Sequence, residues 1–249
     1  LITSKLQTYL IMTTSSPSES RYERQLHLPE IGEEGQRKIR EARILIVGVG
    51  GLGSPISLYL TGAGVGTLGL MDDDVVSITN LHRQVLYGED QLGKPKLAEA
   101  VERLHRLNSE VKLEPYPYRL TRENAADIVS KYDMVIDGCD NFATRFLIDD
   151  ACREAGIPYI YGAVRAFDGQ AAVFNVGPNA RHYRDLYPDE AATLSMPHPG
   201  KPLVGMTPAV VGSVLAEQAL QLICGYGEPL INKLWTIDLS TMQTFTIEL

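Results

Sequence analysis

Ile44-Leu45-Ile46-Val47-Gly48-Val49-Gly50-Gly51-Leu52-Gly53-Ser54 decides the fold of this chain. A short apolar run breaks into a glycine-rich turn, and an apolar stretch of helical length follows. That order reads as buried strand, tight turn, helix N-terminus. Glycines let the backbone take positive φ and let a phosphate approach with no Cβ in the way. The N–H groups and dipole of the helix start then favour an anion. A plain turn in a parallel sheet would look the same, so context has to weigh in. The acidic cluster Asp72-Asp73-Asp74 follows the next apolar run, Leu68-Gly69-Leu70-Met71, at about the spacing where an acidic residue meets a ribose hydroxyl. A dinucleotide enzyme would share everything up to this point.

Outward from this stretch, strands and helices alternate. Strands are expected at 43–47, 67–71, 112–118, 134–137, 158–163 and 170–176, with a C-terminal pair at 234–239 and 243–249. Helices are expected at 52–63, 95–107, 122–131, 142–154 and 208–224. This βαβα order implies an α/β, Rossmann-like open sheet, mostly parallel, with helices on both faces and an antiparallel C-terminal pair. Strands of such a sheet should be apolar with little alternation. Pro95 suits a first helical position, which puts Lys96 in the first turn, with Leu97, Val101 and Leu104 marking the core face.

Residues 21–249 are expected to form one nucleotide-binding domain, with a proline-bearing crossover at about 177–207. Residues 1–20 are Ser/Thr-rich and read as a disordered tail, with Met12 as a candidate start. The 249 residues are 44% hydrophobic and 22% charged, ordinary for a globular protein. A net charge of −8 argues against nucleic-acid binding, and no apolar run is expected to approach the length of a membrane span. The three cysteines, Cys139, Cys152 and Cys224, form no Cys-x-x-Cys pair. That pattern fits a reducing, cytoplasmic compartment, with Cys139 a small filler and the other two in the core.

Four further motifs fall around the turn: Arg21-Tyr22-Glu23-Arg24-Gln25, Asn80-Leu81-His82-Arg83-Gln84, Gly93-Lys94-Pro95-Lys96 and Asp137-Gly138-Cys139-Asp140-Asn141. Ligands bind outside the carboxyl ends of the strands of an open α/β sheet, so Asp140 should share an edge with the glycine turn. In this order and spacing the motifs resemble the ThiF/MoeB/HesA family of ubiquitin-activating-type adenylyltransferases, slightly closer to ThiF, over about 21–249.

The resemblance implies ATP-dependent adenylation of the C-terminal glycine carboxylate of a small ubiquitin-like sulfur carrier ending in Gly-Gly, of thiamine or molybdopterin type, with pyrophosphate released. That nucleophile is already ionised at neutral pH, so positioning and cations carry the reaction rather than a general base. The implied site is Gly50 and Gly51 at the phosphates, Asp72 on the ribose, Asp74 at a further acidic position, and Asn80 and Gln84 orienting phosphates or loop. Arg83 and Lys96 are the implied phosphate cations, and Asp140 the Mg²⁺ ligand beside Asn141. Arg24 is implied to reach a partner subunit's site, hence a homodimer.

Each of these residues also has a plainer role: Lys96 and Arg83 as surface charges, Asp140-Asn141 as a helix cap, Arg24 as a solvated charge. Their joint occurrence in one order favours the functional reading.

Two family features are missing. The first Cys-x-x-Cys place reads His182-Tyr183-Arg184-Asp185, so no zinc is expected. The crossover cysteine's place falls at Pro197-His198, so no covalent enzyme thioester is expected. The competing readings are an NAD-dependent oxidoreductase, a non-catalytic carrier-binding relative, and a tRNA-modifying dehydratase of the same family. The first lacks any use for Arg83 and Lys96, and the last would want a basic surface.

Overall fold

The structure is a computed structural model, and residues 21–196 and 202–249 are described. The expected tail and the Pro197-His198 site lie outside those residues. One eight-stranded sheet runs in the order β3-β2-β1-β4-β5-β6-β7-β8. The first five strands are parallel: β1 (Arg43–Val47), β2 (Thr67–Met71), β3 (Lys112–Tyr116), β4 (Met134–Asp137) and β5 (Tyr159–Arg165). The last three, β6 (Asp168–Phe174), β7 (Lys233–Asp238) and β8 (Gln243–Glu248), add antiparallel. The order turns back between β1 and β4, and that switch point is where such sheets bind ligands.

The helices are α1 (Glu23–Leu26), α2 (Gly32–Glu41), α3 (Gly53–Ala63), α4 (Lys96–Leu107), α5 (Ala125–Val129), α6 (Phe142–Ala155), α7 (Tyr183–Leu186), α8 (Glu190–Leu194) and α9 (Met206–Cys224). Strand β1 shows why its sequence is a continuous apolar run. Ile44 and Ile46 enter a core with Ile39, Leu60, Leu104 and Leu215, while Leu45 and Val47 enter a second with Val129, Phe146 and Cys152. Helices α2, α3, α4 and α9 therefore cover one face, and α5, α6 and α7 the other. A strand wrapped on both faces has no polar side to show. The edge strands do not follow that expectation. β3 is part-exposed and carries Pro115, which an edge tolerates, and every residue of β8 is exposed.

Three expectations are corrected. Pro95 is the N-cap of α4 and Lys96 its first residue, because the extended ψ of 125° keeps Pro95 outside the helix. The helix expected over 122–131 shrinks to Ala125–Val129. Within the crossover, α7 hooks onto α6 through the Asp149 carboxylate accepting from the Tyr183 N–H at 3.0 Å and the Arg184–Asp150 ion pair at 2.7 Å, and Arg184 pairs with Glu190 of α8 at 2.9 Å. Finally, α9 has the length and hydropathy of a membrane span, at 19 residues. It is apolar because it fills a core: Leu215 and Ala219 are fully buried, and a Cβ on Gly212 would come within 2.5 Å of Pro55 on α3.

Candidate active site

A cleft of about 1210 Å³ opens at the carboxyl ends of β1, β2 and β4 and continues over β5–β7. The glycine turn forms its floor. Gly48 takes φ +96°, and the Gly48 N–H reaches the Met71 carbonyl at 2.7 Å. A Cβ on Gly53 would sit 2.0 Å from the Gly48 carbonyl oxygen, so helix α3 can start this close only with glycine there. The buried Tyr87 hydroxyl donates to the Val49 carbonyl at 2.8 Å and supports the turn from behind.

Asp72 ties β2 to this turn. Its Oδ2 accepts from the Val49 N–H and its Oδ1 from the Asp74 N–H, each at 2.9 Å. It also lines the cleft. Asp73 instead pairs with Arg119 at 2.7 Å. Lys96 is not the surface lysine that its helix position would permit. It is 4% exposed, and its Nζ lies 3.0 Å from Asp74 Oδ2. The Asp74 side chain is 63% exposed, so its end of the pair stays hydrated while the Lys96 side chain is buried.

Arg83 lines the same cleft, its Cδ 3.6 Å from where a Gly51 Cβ would be. Its Nη1 donates to the Thr79 carbonyl at 2.9 Å and lies 2.7 Å from His82 Nε2. Gln84 is 4% exposed, stands against Gly50, and has a buried Oε1 with no hydrogen-bond partner among the described residues. Asn80 does not line the cleft. Its Oδ1 accepts from the Ser77 N–H at 3.1 Å, so it shapes the loop that carries Arg83.

Asp140 is exposed on the cleft wall, on the turn after β4. Asn141 caps α6, accepting from the Thr144 N–H at 2.9 Å. Beneath this turn lies a group that the sequence reading missed. Arg145 Nε donates to Asp137 Oδ2 at 2.9 Å, with Asp137 wholly buried. Burial alone would pull the guanidinium pKa down, but the Asp137 charge more than offsets it and the net shift is upward. Residues 142, 145, 146 and 149 share one helical face, so a charge at Arg145 facing the core calls for a partner such as the acid ending β4. That spacing could have flagged it.

Arg24 stands apart. It is exposed on α1, whose neighbours Gln25 and Arg21 bond the carbonyls of Ala63 and Leu107. Those are the C-terminal ends of α3 and α4, at the opposite edge of the sheet from the cleft. The cysteines are all free thiols. Cys139 is partly exposed in the cleft wall rather than a fully buried filler, and burial followed by the Asp137 charge pushes its pKa well up. The His182 and Asp185 pair forms a capping box on α7. Among the described residues no group of three or more His, Cys, Asp or Glu stands together as a metal cage.

The ThiF family model aligns with residues 22–249. The sulfur carrier protein adenylyltransferase of Thermus thermophilus is 45% identical over 223 residues, 88% of this chain and 82% of its own. The probable adenylyltransferase/sulfurtransferase MoeZ of Mycobacterium tuberculosis is 40% identical over 92% of this chain, which spans only 59% of that relative. Among solved structures, Escherichia coli MccB with ATP superposes with TM-score 0.79 at 26% identity, over 92% of this chain and 71% of its own. The chain belongs to the ThiF family.

Proposed function

We propose that this chain is an ATP-dependent adenylyltransferase that activates the C-terminal glycine carboxylate of a small ubiquitin-like sulfur carrier. The observation that carries the reading is the convergence of the buried Lys96, Arg83 and Asp140 on one cleft floored by the glycine turn. The substrate problem is anionic, since a carboxylate must approach a polyphosphate. Lys96 and Arg83 offset that charge, the glycine turn admits the phosphates, and Asp72 orients the ribose. Gln84 turns its amide Nε2 towards Gly50, a donor for a phosphate oxygen in the turn.

Mg²⁺ binds through one or two carboxylates plus substrate phosphates, so an exposed cleft carboxylate is the donor it asks of the protein, and Asp140 fits that requirement. When bound, the ion would neutralise charge on the leaving pyrophosphate. Asp140 is the residue to hold it. The reaction as proposed uses no enzyme thioester, and burial shifts all three thiols away from the nucleophilic thiolate. Asp74 exchanges its hold on Lys96 for solvent when phosphate arrives.

The working form is a homodimer in which Arg24, on the far edge from its own cleft, completes the other copy's site. The extension of the cleft over β5–β7 accommodates the carrier's extended C-terminus. The reaction belongs in the cytoplasm, where free thiols persist. ATP–pyrophosphate exchange tests this reading. Exchange that depends on a carrier ending in Gly-Gly supports it; absence of exchange with both thiamine-type and molybdopterin-type carriers, together with tight NAD binding, would sink it.

A further inference from the structure

We propose that Arg145 is a positioning residue that sets the place of Asp140 in the cleft, an inference that rests on the adenylation reading above. The peptides around Asp140 are pinned from three sides. Arg145 Nη2 donates to the Cys139 carbonyl, the peptide that enters Asp140, at 3.2 Å. The Cys139 N–H donates to Asp137 Oδ1 at 2.9 Å. On the exit side, Asn141 is held by its cap on Thr144. The same Nη2 lies 3.2 Å from the Gly162 carbonyl on β5, which ties the turn to the next strand. Tyr159 donates to Asp137 Oδ2 at 3.1 Å, and the guanidinium sits 5.5 Å from the centre of the Tyr161 ring.

This arrangement is an expensive way to hold a fold. A buried ion pair seldom outperforms packed apolar side chains of the same volume, because both charges lose their water. What the planar guanidinium supplies is direction: three acceptors from β4, the turn and β5 fixed at once, a geometry that a lysine ammonium does not reproduce. Misplacing a reacting or ligating group by about 1 Å costs on the order of 100-fold in rate. Arg145 touches no reacting atom in this account and acts through Asp140.

The test compares Arg145→Lys with Tyr159→Phe. The first keeps the charge beside Asp137 but cannot span Cys139 and Gly162. The second removes one Asp137 bond and leaves the Arg145 brace intact. Expected for Arg145→Lys are a kcat for carrier-dependent exchange down by roughly 30-fold or more, an unchanged KM for ATP, and a Mg²⁺ half-saturation raised by about fivefold or more. Mn²⁺ binding to the complex with a non-hydrolysable ATP analogue, read by electron paramagnetic resonance, should weaken in parallel. Tyr159→Phe should lose stability while keeping its Mg²⁺ dependence.

A Mg²⁺ dependence and Mn²⁺ affinity in Arg145→Lys equal to wild type would overturn the assignment, whatever its stability. If Arg145→Lys does not fold, the paired Asp137→Asn/Arg145→Gln variant carries the same readouts with the same expected and contrary results. Wild-type protein that never shows carrier-dependent exchange overturns the adenylation reading instead, so the two failures are distinct.

Discussion

Gly48 and Gly138 meet backbone to backbone: a Cβ built on Gly138 would lie 2.2 Å from the Gly48 carbonyl oxygen, and one built on Gly48 would lie 2.6 Å from the Gly138 carbonyl oxygen. The Gly138 N–H also donates to the Val47 carbonyl at 2.9 Å. The glycine turn and the Asp140 turn are therefore one packed unit. Gly138→Ala must push them apart, and overpacking of this kind costs ~1–3 kcal/mol. Urea unfolding should show that loss, and exchange activity should fall with it. An unchanged midpoint would mean that the two turns have room to separate.

Lys96→Ala separates chemistry from stability. Removing Lys96 leaves Asp74 largely solvated rather than stranded, so the cost is chiefly the lost packing of a buried stem, about 0.5–3 kcal/mol. Loss of a phosphate-facing cation should lower exchange by about 100-fold or more. Thermal unfolding and exchange measured side by side check both halves. Near-normal turnover would remove Lys96 from the site.

Asn141→Ala should lower stability by ~1 kcal/mol, the usual worth of a helix N-cap, because the Thr144 N–H loses its acceptor. Asn141→Asp should keep the cap. Equal stability of the alanine and aspartate variants in urea would contradict the cap as the main role of this side chain.

Acid should weaken the sheet through Glu114 on β3. Burial tends to raise its pKa, but Lys112, Tyr132 and Arg43 outweigh burial and hold it at about 2, against an ordinary 4.5. A depressed acid contributes its stability fully above the unfolded pKa and loses it as pH falls through the folded one. Glu114→Gln should therefore be less stable than wild type at pH 7, with the gap closing from about pH 4.5 down to about 2. Urea unfolding at pH 7 and pH 3 reads this directly; a gap that stays constant would place the stabilisation elsewhere.

If Arg24 serves the opposite copy, two inactive variants should rescue each other. Arg24→Ala and Asp140→Ala, each without exchange activity alone, should regain part of it when mixed under conditions that let subunits exchange. One mixed dimer then holds one site with both residues intact. No recovery in demonstrably mixed dimers would put Arg24 outside the site.

The parallel half of the sheet was legible because burial on both faces leaves a mark. β1, β2 and β4 fall where short apolar runs stop at glycine or acid, and their observed bounds match those runs. α2 was missed because it is mostly charged: Glu33, Glu34, Arg37, Lys38 and Arg40 surround a contact face made by Gly35, Gln36 and Ile39. α7 and α8 are too short for periodicity to register; Asp149 and Asp150 of α6 hold α7, and Arg184 of α7 holds Glu190 of α8. At the site, motif order located Lys96, Arg83 and Asp140, but not what each touches. The burial of Lys96, the use of Asn80 on its own loop and the Asp137–Arg145 pair are tertiary facts, set by which strand ends meet at the switch point.

The most direct measurement is the intact mass of a Gly-Gly carrier incubated with this protein, ATP and Mg²⁺ in the absence of a sulfur donor. The account predicts a carrier species heavier by one adenylyl group, sensitive to hydroxylamine, and absent when the terminal glycines are removed or Lys96 is replaced by alanine. An unmodified carrier under those conditions, with folded protein and ATP consumed elsewhere or not at all, would contradict it.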